Sequence, residues 1–145
     1  MTLDFAQLLK DKVPKYWSKK ESAPFQEIRD LMEQSPFELP SEYLEFLRFS
    51  NGAYAELPVL PFWCDLFPAA EVMVCNRDDE VLECLTNYLS IGSSGGGELI
   101  LLSKLSPGQV YTVRVPFSSD EDILPVAPTF LDFVLMLGFS EGGES

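Results

Sequence analysis

The stretch Tyr88-Leu89-Ser90-Ile91-Gly92-Ser93-Ser94-Gly95-Gly96-Gly97-Glu98-Leu99-Ile100-Leu101-Leu102 decides the fold. Two β-compatible apolar runs, 88–91 and 98–102, flank a Gly/Ser segment that reverses the chain. A third run, Gln109-Val110-Tyr111-Thr112-Val113-Arg114-Val115, follows Pro107-Gly108. Three sequential strands joined by short turns predict an antiparallel meander. In the third strand Val110, Thr112 and Arg114 alternate against Tyr111, Val113 and Val115, which predicts one buried face and one partly wet face.

Upstream, the apolar period becomes helical. Phe25, Ile28, Leu31 and Met32 recur at three- and four-residue steps behind Pro24, predicting a helix over 24–34 with an acidic outer face. Pro40 opens the next helix, with Tyr43, Leu44, Phe46, Leu47 and Phe49 as its apolar side and Asn51-Gly52 as its stop. Leu3, Phe5, Leu8, Leu9 and Val13 form an earlier stripe, capped by Thr2 and ended by Pro14. Pro58 and Pro61 within Ala53–Phe62 point to short edge strands rather than a central one. Residues 68–74 read as a short helix. Asp78-Asp79-Glu80 then reads as the start of another helix reaching Leu85, its carboxylates at the positive end. Thr129 caps a last helix, with Asp132 three residues later and Gly138 closing it, before a frayed tail over 139–145.

With 145 residues, 46% of them hydrophobic, the chain is sized for one domain. We divide it into an N-terminal helix and connection (1–23), a core (24–138) and the tail. The 23 acidic against 10 basic residues give a net charge of −13, which opposes direct contact with nucleic-acid phosphates. The absence of histidine excludes Ser-His-Asp triads, Cys-His dyads and histidine-ligated metals. Cys64, Cys75 and Cys84 lack C-x-x-C spacing and read as reduced, buried thiols. Asp4 stands where a secretory peptide carries positive charge, and no apolar run approaches the ~20 residues of a membrane span, so we expect a cytoplasmic protein without membrane contact. Lys10, Lys12, Lys15, Lys19 and Lys20 make the first twenty residues locally basic, as a solvated face against an acidic body.

Gly92–Gly97 could form an anion nest, but no Lys-Ser or Lys-Thr follows, a strand follows in place of a helix, and Glu98 adds negative charge. A close strand-to-strand connection fits better. Asp78-Asp79-Glu80 and Asp120-Glu121-Asp122 are local acidic clusters without calcium-loop spacing. Paired carboxylates doing hydrolase chemistry form a weaker alternative. We assign no catalytic residue, metal ligand or cofactor.

The pattern Leu39-Pro40-x-x-Tyr43-x-x-Phe46-x-x-x-x-Asn51-Gly52, followed by Ile91-Gly92-x-x-Gly95-Gly96-Gly97-Glu98, resembles the SUKH superfamily of bacterial toxin-immunity proteins and fungal cell-wall-assembly regulators. The resemblance spans roughly residues 25–137. It implies an α/β fold of the α+β type, with a curved, mainly antiparallel sheet flanked by helices. It places Leu39 and Pro40 at a helix start, Tyr43 and Phe46 on its buried side, and Asn51-Gly52 at its end. Ile91, Gly92, Gly95, Gly96 and Gly97 fall in a turn before Glu98, and Ser93-Ser94 replaces the more usual Asp-containing turn. It also implies binding without catalysis.

Because partner-facing surfaces vary within such a family, physics has to place the interface. Aromatic anchors beside carboxylates suit one best, which selects Phe62, Trp63 and Asp65, although Trp63 fits a core position equally well. The clusters Asp78, Asp79, Glu80 with Glu83, and Asp120, Glu121, Asp122, come second. The resulting expectation is an immunity-type protein that binds and inhibits a basic toxin domain through an acidic surface, with a nuclease the best fit to phosphate mimicry. An intracellular scaffold or regulator of the cell-wall-assembly type is the alternative.

Overall fold

The three strands read from the sequence form the middle of a longer meander. In the computed structural model, which describes residues 4–9, 17–78, 85–116 and 122–138, the strands are β1 (Ser18–Lys19), β2 (Ala53–Glu56), β3 (Trp63–Leu66), β4 (Tyr88–Ser93), β5 (Glu98–Ser103), β6 (Val110–Arg114) and β7 (Leu124–Ala127). They form one curled sheet in chain order, every neighbouring pair antiparallel. The described helices are α1 (Phe5–Leu8), α2 (Phe25–Gln34), α3 (Ser41–Phe49), α4 (Ala69–Asp78) and α5 (Phe130–Met136). The result is the α+β architecture of a curved antiparallel sheet flanked by helices.

The main core forms where the helical stripes meet one face of the sheet. Ile28, Leu31, Tyr43, Phe46, Phe130 and Phe133 pack with Ala53, Ala55, Cys64, Leu66, Ile100 and Val110. The Tyr43–Phe130 and Phe46–Phe130 rings meet edge-on at 5.3 and 5.7 Å, a geometry that adds about 0.5–1.5 kcal/mol per pair to area burial. Leu99, Leu101 and Val113, on the sheet's other face, form a smaller cluster with Leu85. Thr112 and Val113 are therefore both buried, on opposite faces, and within β6 only Arg114, at the C-terminal end, is exposed.

Polar side chains tie the layers together. Glu42 Oε1 on α3 accepts the Leu131 N–H in the first turn of α5, and Thr129 Oγ1 accepts the Asp132 N–H, the cap expected there. Asn51 does more than stop α3. Helix α3 ends at Phe49 with an extended Ser50, and Asn51 Oδ1 accepts the Ala69 N–H that opens α4. Gly52 has φ 101°, and a Cβ there would lie 2.5 Å from the Leu66 carbonyl oxygen. Fully buried Asn76 completes the sheet. After Leu66 the chain leaves for α4, and Asn76 Oδ1 accepts the Ser90 N–H while its Nδ2 donates to Ser90 O and Val72 O. The side-chain amide thus pairs with β4 as a peptide group of β3 would.

Several local readings need correction. Pro58 and Pro61 lie in the β2–β3 hairpin loop, where no ladder hydrogen bond is lost, and β3 is an interior strand between β2 and β4. Asp4, not Thr2, caps α1, its Oδ1 accepting the Gln7 N–H. Asp78 is the last described residue of α4, and the helix expected from Asp79 to Leu85 lies, up to Leu85 itself, outside the described residues. Ile91 and Gly92 belong to β4, leaving 94–97 as the turn. Cys64 is buried and Cys75 half-buried. Thr2, Pro14, Cys84 and the tail 139–145 lie outside the described residues.

Candidate functional site

The register carries the Leu99–Leu101–Val113 face onward through Ser93, opposite Asp65, to Tyr54, opposite Asp65 on β2. Here the aliphatic cover stops. Tyr54 is 50% exposed and Trp63 40%, and Glu56 is exposed beside them. The burial pattern of β2, Ala53 and Ala55 in with Tyr54 and Glu56 out, turns the larger side chains away from the core.

At the hairpin tip Val59, Leu60 and Phe62 are exposed, while Leu57 anchors the loop in the core. Phe62 has φ 72°, uncommon for a bulky side chain. Two hydrogen bonds hold it there: Leu57 N–H donates to Phe62 O at 3.0 Å, and Phe62 N–H donates to Val59 O at 2.7 Å. Leu60 and Pro61 share a cleft of about 270 Å³ with Glu98, Thr112, Arg114, Asp122 and Leu124. A contiguous apolar surface rimmed by polar groups, held on a fixed hairpin, is suited to macromolecular contact.

Asp65 is the electrostatic centre of the open face. Desolvation holds its carboxyl above the usual range; nearby Lys20 and a hydrogen bond from Tyr54 oppose that shift, and Glu71 reinforces it. Lys20 Nζ lies 5.0 Å from the Tyr54 ring centroid. Cys64, on the opposite face of β3, is pushed up to about 12 by burial, with the Asp65 charge adding and an Ala55 backbone hydrogen bond opposing. At neutral pH this thiol stays protonated and is not an activated nucleophile.

The glycine turn is filled by its own side chains. Ser94 Oγ accepts the Gly96 and Glu98 N–H groups and donates to Glu98 Oε1, while Arg114 pairs with Glu98 at 2.7 Å. The Ser94, Gly96 and Glu98 amides of this turn are thus engaged within it, and Glu98 brings a negative charge to its mouth. Among the described residues no group of three or more His, Cys, Asp or Glu could hold a metal ion.

Phe62, Trp63 and Asp65 come together on the hairpin, and Asp122 faces the cleft beside its tip. Asp78 ends the described part of α4, nine residues from Ala69, roughly 14 Å along the axis at the helical rise. Asp79, Glu80, Glu83, Asp120 and Glu121 fall outside the described residues. The described helices carry many of the carboxylates, among them Glu27, Asp30 and Glu33 on α2 and Glu42 and Glu45 on α3.

The family model described as SMI1 / KNR4 family (SUKH-1) matches residues 23–136. The chain belongs to this family. Among curated proteins, none matches it. The signature residues of this SUKH-1 chain build the fold: Leu39, Tyr43 and Phe46 are buried, Pro40 precedes α3, and Gly92 lets β3 approach β4, since a Cβ there would lie 2.8 Å from the Asp65 carbonyl oxygen. The family is known for non-catalytic immunity or regulatory proteins and implies protein–protein interaction. No described helix is long and apolar enough to cross a membrane.

Sequence reasoning missed Tyr54, Glu56 and Lys20. The alternation Ala53-Tyr54-Ala55-Glu56 was a usable period-two signal for the first two, masked by the prolines that follow. Nothing local to Lys20 marks it as the cation above Tyr54, because that contact joins residues 34 positions apart.

Proposed function

We propose that this SUKH-1 chain is a single-domain, cytoplasmic, immunity-type binding protein that docks a basic toxin domain and blocks it by occlusion, without chemistry of its own. The observation carrying this reading is the open β2–β3 face, where Tyr54, Phe62 and Trp63 stand exposed beside Glu56 and Asp65 on a hairpin rooted in the core by Leu57. Aromatic groups of this kind supply the buried area of binding hot spots, and carboxylates supply pairing and steering. The net charge of −13 favours encounter with a cation-rich partner. A nuclease, whose own surface attracts phosphates, is the partner class such charge fits best.

The test pairs the purified protein with candidate basic toxin domains, nucleases first, and measures binding and inhibition by calorimetry and activity assay. Stoichiometric inhibition that Trp63→Ala weakens by about 2 kcal/mol or more supports the reading. Full inhibition by Trp63→Ala and Phe62→Ala together removes the hairpin from the interface. Binding that leaves the partner active favours the regulatory-scaffold alternative. Charge reversal of Asp78, Asp79 and Glu80 tests whether the acidic cluster shares in docking: slower association with a flatter salt dependence places it at the contact, and unchanged kinetics exclude it.

A further inference from the structure

Four side chains on the open face of β2 and β3 alternate in kind: Tyr54 stands opposite Asp65, and Glu56 opposite Trp63. Rings and carboxylates occupy alternate corners, the two rings lying on the diagonal with centroids 6.1 Å apart and planes 37° apart. Directly opposed residues on antiparallel strands hold their Cβ atoms ~5 Å apart, close enough for one ligand group to touch both side chains. A guanidinium group matches such a corner: its plane stacks on an aromatic face while its edge donates to a carboxylate.

One corner already engages a cation from the protein itself. Lys20 sits over the Tyr54 ring at 5.0 Å, near Asp65, whose charge it favours. The other corner is presented outward, with Trp63 40% exposed and Glu56 exposed. Charge complementarity selects the occupant. A second copy would bring another net −13 to the face, whereas a basic partner brings its cations with it.

We propose that the Trp63–Glu56 corner receives an arginine side chain of the protein partner, and that Lys20, held on the neighbouring Tyr54–Asp65 corner, competes with that arginine for the face. This assignment rests on the docking reading above and names the partner chemistry it requires. Arginine is preferred to lysine because the rigid, planar group stacks and donates at once, whereas an ammonium acts as a hydrated point charge.

The probe is a short capped peptide, Gly-Arg-Gly-Arg-Gly, titrated into the ¹⁵N-labelled protein beside its Gly-Lys-Gly-Lys-Gly counterpart. We expect the Trp63 indole and Glu56 amide signals to move with the arginine peptide, at an affinity about fivefold above that of the lysine peptide. Trp63→Ala abolishes the shifts, Glu56→Gln weakens binding about threefold, and Lys20→Met strengthens it by a similar factor. Equal response to both peptides, shifts that survive Trp63→Ala, or weaker binding by Lys20→Met overturns the proposal. Toxin capture that depends on Trp63 while the peptides show no arginine preference removes the arginine assignment and leaves the docking reading standing. Arginine preference without Trp63-dependent capture does the reverse.

Discussion

Across β4, β5 and β6 the outer face of the sheet carries Leu99, Leu101 and Val113 packed with Leu85, whereas across β2 and β3 the same face carries Tyr54, Glu56 and Trp63 in the open beside a half-buried Asp65. Both halves belong to one antiparallel sheet, with a register shift in β4 between Ser90 and Gly92, and strand pairing alone does not explain why one is covered and the other open. Side-chain chemistry does. Branched aliphatic groups gain only by losing water, while Tyr, Trp and carboxylates tolerate solvent and retain directional contacts for another molecule. The covered half therefore works for stability and the open half is available for recognition.

The largest effect should fall on the covered half. Leu101→Ala removes a fully buried side chain and is expected to destabilise the protein by about 3 kcal/mol in urea unfolding. A loss below about 1 kcal/mol would mean that this half is as loosely packed as the other.

At the junction, Asn76→Ala strips the Ser90 N–H and C=O of their buried partners, at an expected cost of about 2 kcal/mol. Hydrogen exchange should localise the damage, with the Ser90 amide losing protection while β5 and β6 keep theirs. Unchanged protection at Ser90 would show that another group replaces Asn76.

On the open half, Trp63→Ala should cost under about 1 kcal/mol of stability, since the ring is already partly solvated. A cost comparable with that of Leu101→Ala would erase the distinction between the halves.

Smallest is the titration of Asp65. Its raised carboxyl means the folded state holds the proton more tightly than the unfolded state. Its contribution to stability therefore falls as pH rises from the unfolded carboxylate range through the raised folded value. Asp65→Asn should accordingly melt slightly higher than the wild type at pH 7, with the gap closing as pH falls into the carboxylate range. A lower melting temperature at pH 7 would show that the Lys20 and Tyr54 contacts outweigh desolvation.

Much of the scaffold was legible because its signals are local. Pro24, Pro40 and Thr129 mark helix starts, the three- and four-residue spacing of Ile28 and Leu31 marks a buried stripe, and the Gly/Ser turn separates β4 from β5. Phe62, Trp63 and Asp65 were legible as an aromatic-acidic group, but a core or surface position for Trp63 was open until the register placed it opposite Glu56 on the uncovered face. Pro58 and Pro61 misled because a proline inside a strand and one inside a hairpin loop look alike in a single sequence. Residues 68–74 read as a short helix, and the described helix runs on through Asn76 to Asp78 because Asn76 is drawn inward by its bonds to Ser90, a contact no local pattern signals.

By itself the sequence determined the chain's acidity, the absence of histidine chemistry, the kinds and rough limits of its main helices and central strands, and a family signature made of fold residues. Tertiary structure alone decided that Asn51 caps α4, that Asn76 pairs with Ser90, that Lys20 covers Tyr54, and that half of the outer sheet face stays open. The reason is range. Backbone preference and apolar period are set by neighbours within one or two turns, whereas these contacts join residues 14 to 34 positions apart and exist only once the sheet has curled and the helices have settled on it.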